Sequence, residues 1–428
     1  MKDNSQILLR EAQKRDREDP LRKYRNLFVI EDDDTIYLDG NSLGRLSKNT
    51  AQFLKHVIEE EWGNRLIRSW NERWMNRSLR IAEKIATLVG ARPDEILIAD
   101  STSVNLSKLL AAAVKYAPER KKIITDSLNF PSDLYVLQGI AKHFGDGLSI
   151  RVVPGVNKIY ANEERVIQEL DEETLLLTLS LVSFTSAFLY DLKNISQHAR
   201  EYNALTLWDL SHAVGVIPID LNKSGVDMAV GCTYKYLNGG PGSPAFLYIR
   251  KELQQKLKQP FWGWFGCADP FTFNPEYIPA SGIQQYASGT PYILSLSALE
   301  PGLDIIIEAG IKKIRKKSIQ QTEYLMQLFD LWLNPLGYQL GSPREPEKRG
   351  SHVSICHKEA YRICQALINP NDGHLKVITD FRKPDNIRLG IAPLYTSFED
   401  IYKALDRIRI VTDLKLYESF ADVPIGVT

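Results

Sequence analysis

Two apolar runs in this chain end on groups that can do chemistry together. In "LTLWDLSHAVG" the run stops at Asp209, shortly before His212, and in "VDMAVGCTYKYLNGGPG" it stops at Tyr234 and Lys235. A lysine in such a place can be a surface residue, an ion-pair partner for Asp209, or an amine nucleophile. Its setting favours the nucleophile. The glycines that follow let the backbone turn tightly beside Lys235, and Tyr234 and Tyr236 give it a partly dry environment. Loss of water disfavours the charged form of an amine, which is the condition for a Schiff-base lysine. A carboxylate such as Asp209 could then keep a proton on a pyridine nitrogen and maintain an electron sink, the requirement of pyridoxal phosphate. Other glycine-loop chemistries do not fit: "NGGPG" follows the lysine instead of preceding it, and no G-x-G-x-x-G opens a helix.

Groups at the ends of apolar runs need strands to carry them. From about residue 50 the sequence alternates helix and strand: "SLRIAEKIATLVG", "SVNLSKLLAAAVKYA" and "ISQHAREYN" have helical periodicity, while "EILIAD", "KKIITD", "LSIRVVP" and "TLLLTLSLV" read as strands. Continuously apolar strands belong to a mostly parallel sheet covered on both faces. The expected fold is therefore α/β and doubly wound, with a large domain over 51–305 and a small α+β domain over 306–428. The amino-terminal segment 1–50, with helical periodicity over 5–18, is expected to associate with the small domain. The stretch "GIKKIRKKSIQQTEYLMQLFDLWL" is predicted as one long helix, and "GSPREPEKRG" as a surface loop. Ligands of open α/β sheets bind beyond the carboxyl ends of the strands. Asp209, Lys235 and the turn Ser101-Thr102-Ser103 all fall there. That hydroxyl-rich turn opens a helix and offers N–H groups to an anionic phosphate, although plain N-capping would also account for it.

The balance of 53 basic and 53 acidic residues gives no electrostatic footprint for nucleic acid or an anionic membrane. The four cysteines, Cys232, Cys267, Cys356 and Cys364, form no C-x-x-C pair and suit a reducing cytoplasm. The N-terminus mixes acids and bases without an apolar core, so no leader peptide is expected. The apolar stretch "TLLLTLSLVSFTSAFLY" is too short and too rich in hydroxyls for a membrane span and reads as a buried strand plus a loop. His352 and His357 are oddly spaced on an expected strand, which argues against a shared metal, and none is expected.

Taken in order, "YLDGNSLG", "LIRSWN", "DSTSVN", "NFPSDLY", "WDLSHAVGVIPIDL", "TYKYLNGGPG", "GWFG", "SGTP", "EKRGSHV" and "DFRKPDNIRLGIAPLY" resemble the kynureninase family over nearly the whole chain. The resemblance implies a fold-type-I, pyridoxal phosphate-dependent hydrolase of the aminotransferase class V group. Such an enzyme cleaves the Cβ–Cγ bond of L-kynurenine or 3-hydroxy-L-kynurenine to an anthranilate and L-alanine. Carried over residue by residue, it implies that Lys235 bears the cofactor and Asp209 pairs with the pyridine nitrogen. His212 and Tyr234 lie near the phosphate, Thr102 and Ser103 contact it, and Phe130 stacks on the ring beside Asp133. Tyr234 is also the expected proton donor, its phenol made more acidic by a cationic neighbourhood. Trp264 and Thr290 resemble residues that reach the cofactor from a neighbouring subunit, which implies a homodimer with shared active sites. Arg388 matches the arginine that clamps the substrate α-carboxylate, with Ser42 and Trp70 in the pocket wall.

Two stretches depart from the family pattern. Cys267 stands where a histidine often follows "GWFG". The frequent Tyr-Arg-Thr-Gly segment reads Phe184, Thr185, Ser186 and Ala187, in which Ser186 still offers a hydroxyl to the phosphate region. These departures leave open a related enzyme such as a cysteine desulfurase using Cys356, or an inactive dimeric relative. Cys356 ends an expected strand, where a buried structural thiol is the plainer reading.

Overall fold

The computed structural model describes residues 2–32, 34–144, 147–370, 373 and 375–421. Its strands, in chain order, are β1 (Thr35–Tyr37), β2 (Ile96–Ile98), β3 (Lys122–Asp126), β4 (Ser149–Val153), β5 (Thr174–Ser180), β6 (Leu205–Asp209) and β7 (Met228–Gly231). Then follow β8 (Phe246–Ile249), β9 (Gln339–Leu340), β10 (His352–Cys356), β11 (Lys376–Ile378), β12 (Asp380–Arg382) and β13 (Asn386–Gly390). The main sheet has seven strands in the order β2-β8-β7-β6-β5-β3-β4. Neighbours from β7 through β4 run parallel, and β8 is antiparallel to both β7 and β2. The periodicity of the sequence did not single out β8, because four apolar residues after a glycine and proline turn carry no signature of direction.

Alternation along each strand explains why these runs are apolar throughout. Leu177, Leu179, Trp208, Ala229, Phe246 and Tyr248 point into one core, while Leu176, Leu205, Leu207, Met228, Val230 and Leu247 point into another. Helices cover both faces, so neither set meets water, and each fully buried Leu or Ile contributes about 1.5–3 kcal/mol. The helix Arg77–Val89 ends as its sequence demands, on Gly90 in the left-handed region at φ 64°.

A third core joins the two ends of the chain. Leu8, Ala12, Ile36 and Leu38 pack with Val353, Ile355, Leu389, Ile401 and Leu405. In backbone terms β1 pairs in parallel with β11, Thr35 opposite Lys376. The sheet β12-β13-β10-β9 forms the rest of this unit. The long helix Ile311–Leu328 gives way to a wide turn over Phe329–Leu333, and residues 422–428 of the expected small domain lie outside the described residues. Further wide turns occupy Val57–Asn64 and Trp70–Trp74. That segment is anchored by a buried ion pair, Arg77 Nη2 to Glu61 Oε1 at 2.9 Å, with Trp74 Nε1 donating to Glu61 Oε2 at 2.7 Å. No helix among the described residues is long and apolar enough to cross a membrane.

Candidate active site

Strands β6 and β7 end side by side, with Asp209 opposite Val230. Asp209 is buried and accepts a hydrogen bond from the Ser211 amide at 2.8 Å. Beyond β7 the chain turns through Thr233, whose hydroxyl donates to the Pro244 carbonyl at 2.7 Å and whose carbonyl accepts from the Gly239 amide at 3.0 Å. This closed turn delivers Lys235, only 9% exposed, beside the ring of His212: Nζ lies 3.3 Å from Nε2 and 3.5 Å from Nδ1. The same nitrogen sits 5.8 Å from the ring centroids of Phe130 and of Tyr234. Gly44 presses on this turn from the amino-terminal segment, its amide donating to the Tyr234 carbonyl at 2.8 Å. A Cβ there would fall 2.2 Å from the Lys235 carbonyl oxygen, so the close approach requires glycine.

Opposite the lysine, the loop after β3 brings in Phe130, and the first turn of the following helix, Pro131–Phe144, brings in Asp133. Asn129 holds this loop by donating to Thr125 Oγ1 at 3.1 Å and accepting from Ser180 Oγ at 2.7 Å. Phe130 is 37% exposed and meets Phe184 edge-on at 5.1 Å. The helix Thr102–Tyr116 begins alongside, capped by Ser101 Oγ accepting from the Val104 amide, with Ser103 Oγ 3.0 Å from Ser132 Oγ. Thr102 is the first residue of that helix. An amine beside a neutral ring, an aromatic face left partly open, and hydroxyls around a helix N-terminus together fit pyridoxal phosphate: imine, stacked ring and phosphate.

Burial dominates the electrostatics. Asp133 is pushed well above the usual carboxylate range by burial and by the neighbouring Asp209 charge. Asp209 is raised less, because the hydrogen bonds from Ser211, the charge of Lys235 and a hydrogen bond from Asp133 oppose its burial. Both carboxyls are thus raised, Asp133 the more strongly. Burial, then the charges of Lys235 and Arg388, push His212 well below the usual imidazole value. The Tyr234 phenol is raised, by burial first and by the adjacent Cys232 thiol. This corrects the expectation of an acidified tyrosine.

The second corner of the site is built on β12 and β13, where Asp380 faces Arg388 across the hairpin. Arg388 is 1% exposed and donates through Nε to Asp380 Oδ1 at 3.2 Å and through Nη1 to the Phe184 carbonyl at 2.7 Å. Its Nη2 donates to Ser42 Oγ at 2.9 Å and to Asp380 Oδ2. Phe184 links the two corners, carbonyl to Arg388 and ring to Phe130.

The structure therefore brings together Lys235, His212, Asp209, Asp133, Phe130 and Tyr234, and separately Arg388 and Ser42. Ser186 is buried, and its oxygen accepts from the Phe188 amide at 3.3 Å inside its own turn. Trp70 meets Trp74 at 5.4 Å and Phe265 at 6.0 Å instead of Ser42 or Arg388. Trp264 stacks edge-on with Phe265, and Thr290 lines a cavity of about 320 Å³ with Asp100, Phe265 and Ser288. Among the described residues no hydrogen bond or ring contact ties either one to Lys235. Cys356 ends β10 as expected, and burial raises its thiol to about 11, which suits a structural thiol.

Sequence reasoning passed over Asp380, Arg382 and Asp39, and weighed His352 only as a metal ligand. The turn "RKPDN" could have revealed Asp380, since a short hairpin centred on it sets Asp380 opposite Arg388.

The fold is shared with solved pyridoxal phosphate enzymes of fold type I. A cysteine desulfurase from Thermococcus onnurineus NA1 superposes with TM-score 0.75 at 18% identity, covering 88% of this chain and 94% of its own. The cysteine desulfurase CsdA from Escherichia coli gives 0.77 at 15% identity, covering 92% of this chain and 98% of its own. At the level of sequence, the kynureninase of Pseudomonas fluorescens is 39% identical over 94% of this chain and 95% of its own length. That of Burkholderia mallei (strain SAVP1) is 38% identical over 96% of both. The model of the kynureninase C-terminal domain matches residues 314–408. The chain belongs to the kynureninase family.

Proposed function

We propose that this chain hydrolyses the Cβ–Cγ bond of L-kynurenine or 3-hydroxy-L-kynurenine, releasing anthranilate or 3-hydroxyanthranilate and L-alanine, with pyridoxal phosphate held at Lys235. The observation that carries the reading is one buried amine set against a neutral histidine and beside a buried carboxylate, in a chain 39% identical to a kynureninase. When bound, the cofactor supplies an electron sink for charge released at the substrate's α and β carbons. Lys235 would hold it covalently and afterwards shuttle protons at the α carbon. Asp209 would pair with the ring nitrogen, Phe130 would cover a ring face, and Thr102 and Ser103 would receive the phosphate. His212 would hold the amine of Lys235 in place. Arg388 would fix the α-carboxylate, a planar two-point grip that a lysine would not supply. Tyr234, protonated throughout, would donate a proton when the products separate.

The working unit is a homodimer, with Trp264 and Thr290 offered to the partner's site. Large apolar residues support this: Ile67, Trp262 and Phe273 are 77%, 64% and 76% exposed, and Trp70 packs on Phe265 to join the two segments that carry them. The domain division is at residues 50 and 305, with the amino-terminal segment riding on the small domain through β1. Four free cysteines suit a reducing cytoplasm.

The test mixes cofactor-loaded protein with L-kynurenine, 3-hydroxy-L-kynurenine and L-cysteine in parallel, following anthranilates, alanine and sulfide. Equal anthranilate and alanine are expected. Sulfide without anthranilate would replace the reading with a desulfurase, and no product from any of the three would leave an inactive relative.

A further inference from the structure

The corner around Arg388 holds more charge than a carboxylate clamp requires. A guanidinium has five N–H donors. Four are committed here: Nε and one of Nη2 to Asp380, the other of Nη2 to Ser42, and one of Nη1 to the Phe184 carbonyl. Asp380 is in turn surrounded. Its Oδ2 accepts from Arg382 Nη2 at 2.7 Å and from Ser42 Oγ at 2.9 Å, and its side chain is 2% exposed. Asp39 completes the group, its carboxyl raised to about 7 by burial and then by the Asp380 charge. Two arginines thus share one fully buried carboxylate, and removing it would leave them uncompensated.

We infer that Asp380 is a positioning residue for substrate binding: it grips Arg388 side-on from the opposite strand and fixes which N–H groups remain for an incoming carboxylate. One N–H of Nη1 is uncommitted. The second arm of a two-point grip comes by exchange with Ser42, whose own donation to Asp380 keeps it from swinging away. The Asp380 contacts persist through that exchange, so the arginine stays aimed before and after the substrate arrives. This rests on the reading of Arg388 as the carboxylate clamp.

The experiment titrates the cofactor-loaded protein with L-alanine and with L-alaninamide, which lacks the carboxylate, following cofactor absorbance, and measures kcat and KM for L-kynurenine. For Asp380→Asn, L-alanine affinity is expected to fall and KM to rise by about tenfold, a loss of roughly 1.4 kcal/mol. The L-alaninamide affinity and kcat change little. Asp380→Glu, which keeps the charge and shifts it by one methylene, is expected to lose several-fold on L-alanine alone, and it carries the test if the asparagine variant does not fold. Equal losses for both ligands would mean a structural disturbance, and unchanged or tighter L-alanine binding would mean that Asp380 competes instead of positioning. Either result overturns the inference. Arg388→Gln separates the two levels. If it leaves the preference for L-alanine intact, the clamp reading itself fails; if it abolishes the preference while the Asp380 variants do not, only the role of Asp380 fails.

Discussion

Nε2 of His212 lies 3.3 Å from Nζ of Lys235, and both side chains are buried. Burial and the charges of Lys235 and Arg388 keep the imidazole neutral, which leaves it one lone-pair nitrogen to accept from the amine. His212→Phe preserves bulk and removes the acceptor. Equilibrium dialysis of pyridoxal phosphate is expected to show about tenfold weaker retention, the worth of one hydrogen bond to a charged group. Undiminished retention would take His212 out of the cofactor's support.

Tyr234 makes a different case. Its raised pKa keeps the phenol protonated across the working range, so it can give a proton but cannot serve as an ionised base. Tyr234→Phe is expected to lower kcat about a hundredfold while cofactor content stays full. Unchanged turnover would remove the residue from the mechanism.

His352 should be visible in stability. Its ring is fully buried, with neither nitrogen in a close, aligned hydrogen bond, and its centroid is 5.8 Å from that of His212. Burial, then the charges of Arg388 and Lys235, hold it well below its ordinary value of 6.5. For a base whose native pKa is depressed, the unfolded chain takes up the proton first. The stability is present above about pH 6.5 and lost as pH falls below it. Urea unfolding of His352→Gln is therefore expected to depend less steeply on pH than the unaltered protein between about pH 7.5 and 5.5. Parallel slopes would contradict the assignment.

Ala187 sits at φ 61°, in the left-handed region that favours glycine. Its methyl group costs about 1 kcal/mol there. Ala187→Gly is expected to change stability by less than about 0.5 kcal/mol in denaturant titration, because the relief is offset by the looser unfolded chain and the loss of a buried methyl. A larger loss of stability would show that the methyl packs well enough to outweigh its backbone strain.

How far the sequence disclosed this arrangement depended on whether a feature was local. Asp209 and Lys235 were legible because strands buried on both faces are apolar throughout and a charge at their end is conspicuous. The helix start at Thr102 and Ser103 was legible from its hydroxyl-rich turn. Asp380 was hidden by its distance from Ser42 and by a register that only the hairpin sets. Tyr234 was misjudged because its acidity depends on depth and on a thiol two residues away, neither of which composition reveals. The wide turns over residues 57–64 and 70–74 are accompanied by Glu61 buried against Arg77, a tertiary contact that helical spacing does not reveal.

The union of the two chain ends also sets a timetable for synthesis. β1 pairs with β11, and Ser42 meets an arginine 346 residues further on. A ribosome adding roughly 5–20 residues per second takes on the order of half a minute to cover that gap. All of β2 to β8 emerges in the meantime, while Ile36 and Leu38 wait without the core they will share with Leu389. The nascent chain can thus assemble its lysine corner well before its arginine corner exists, and an interrupted translation product would carry the first without the second.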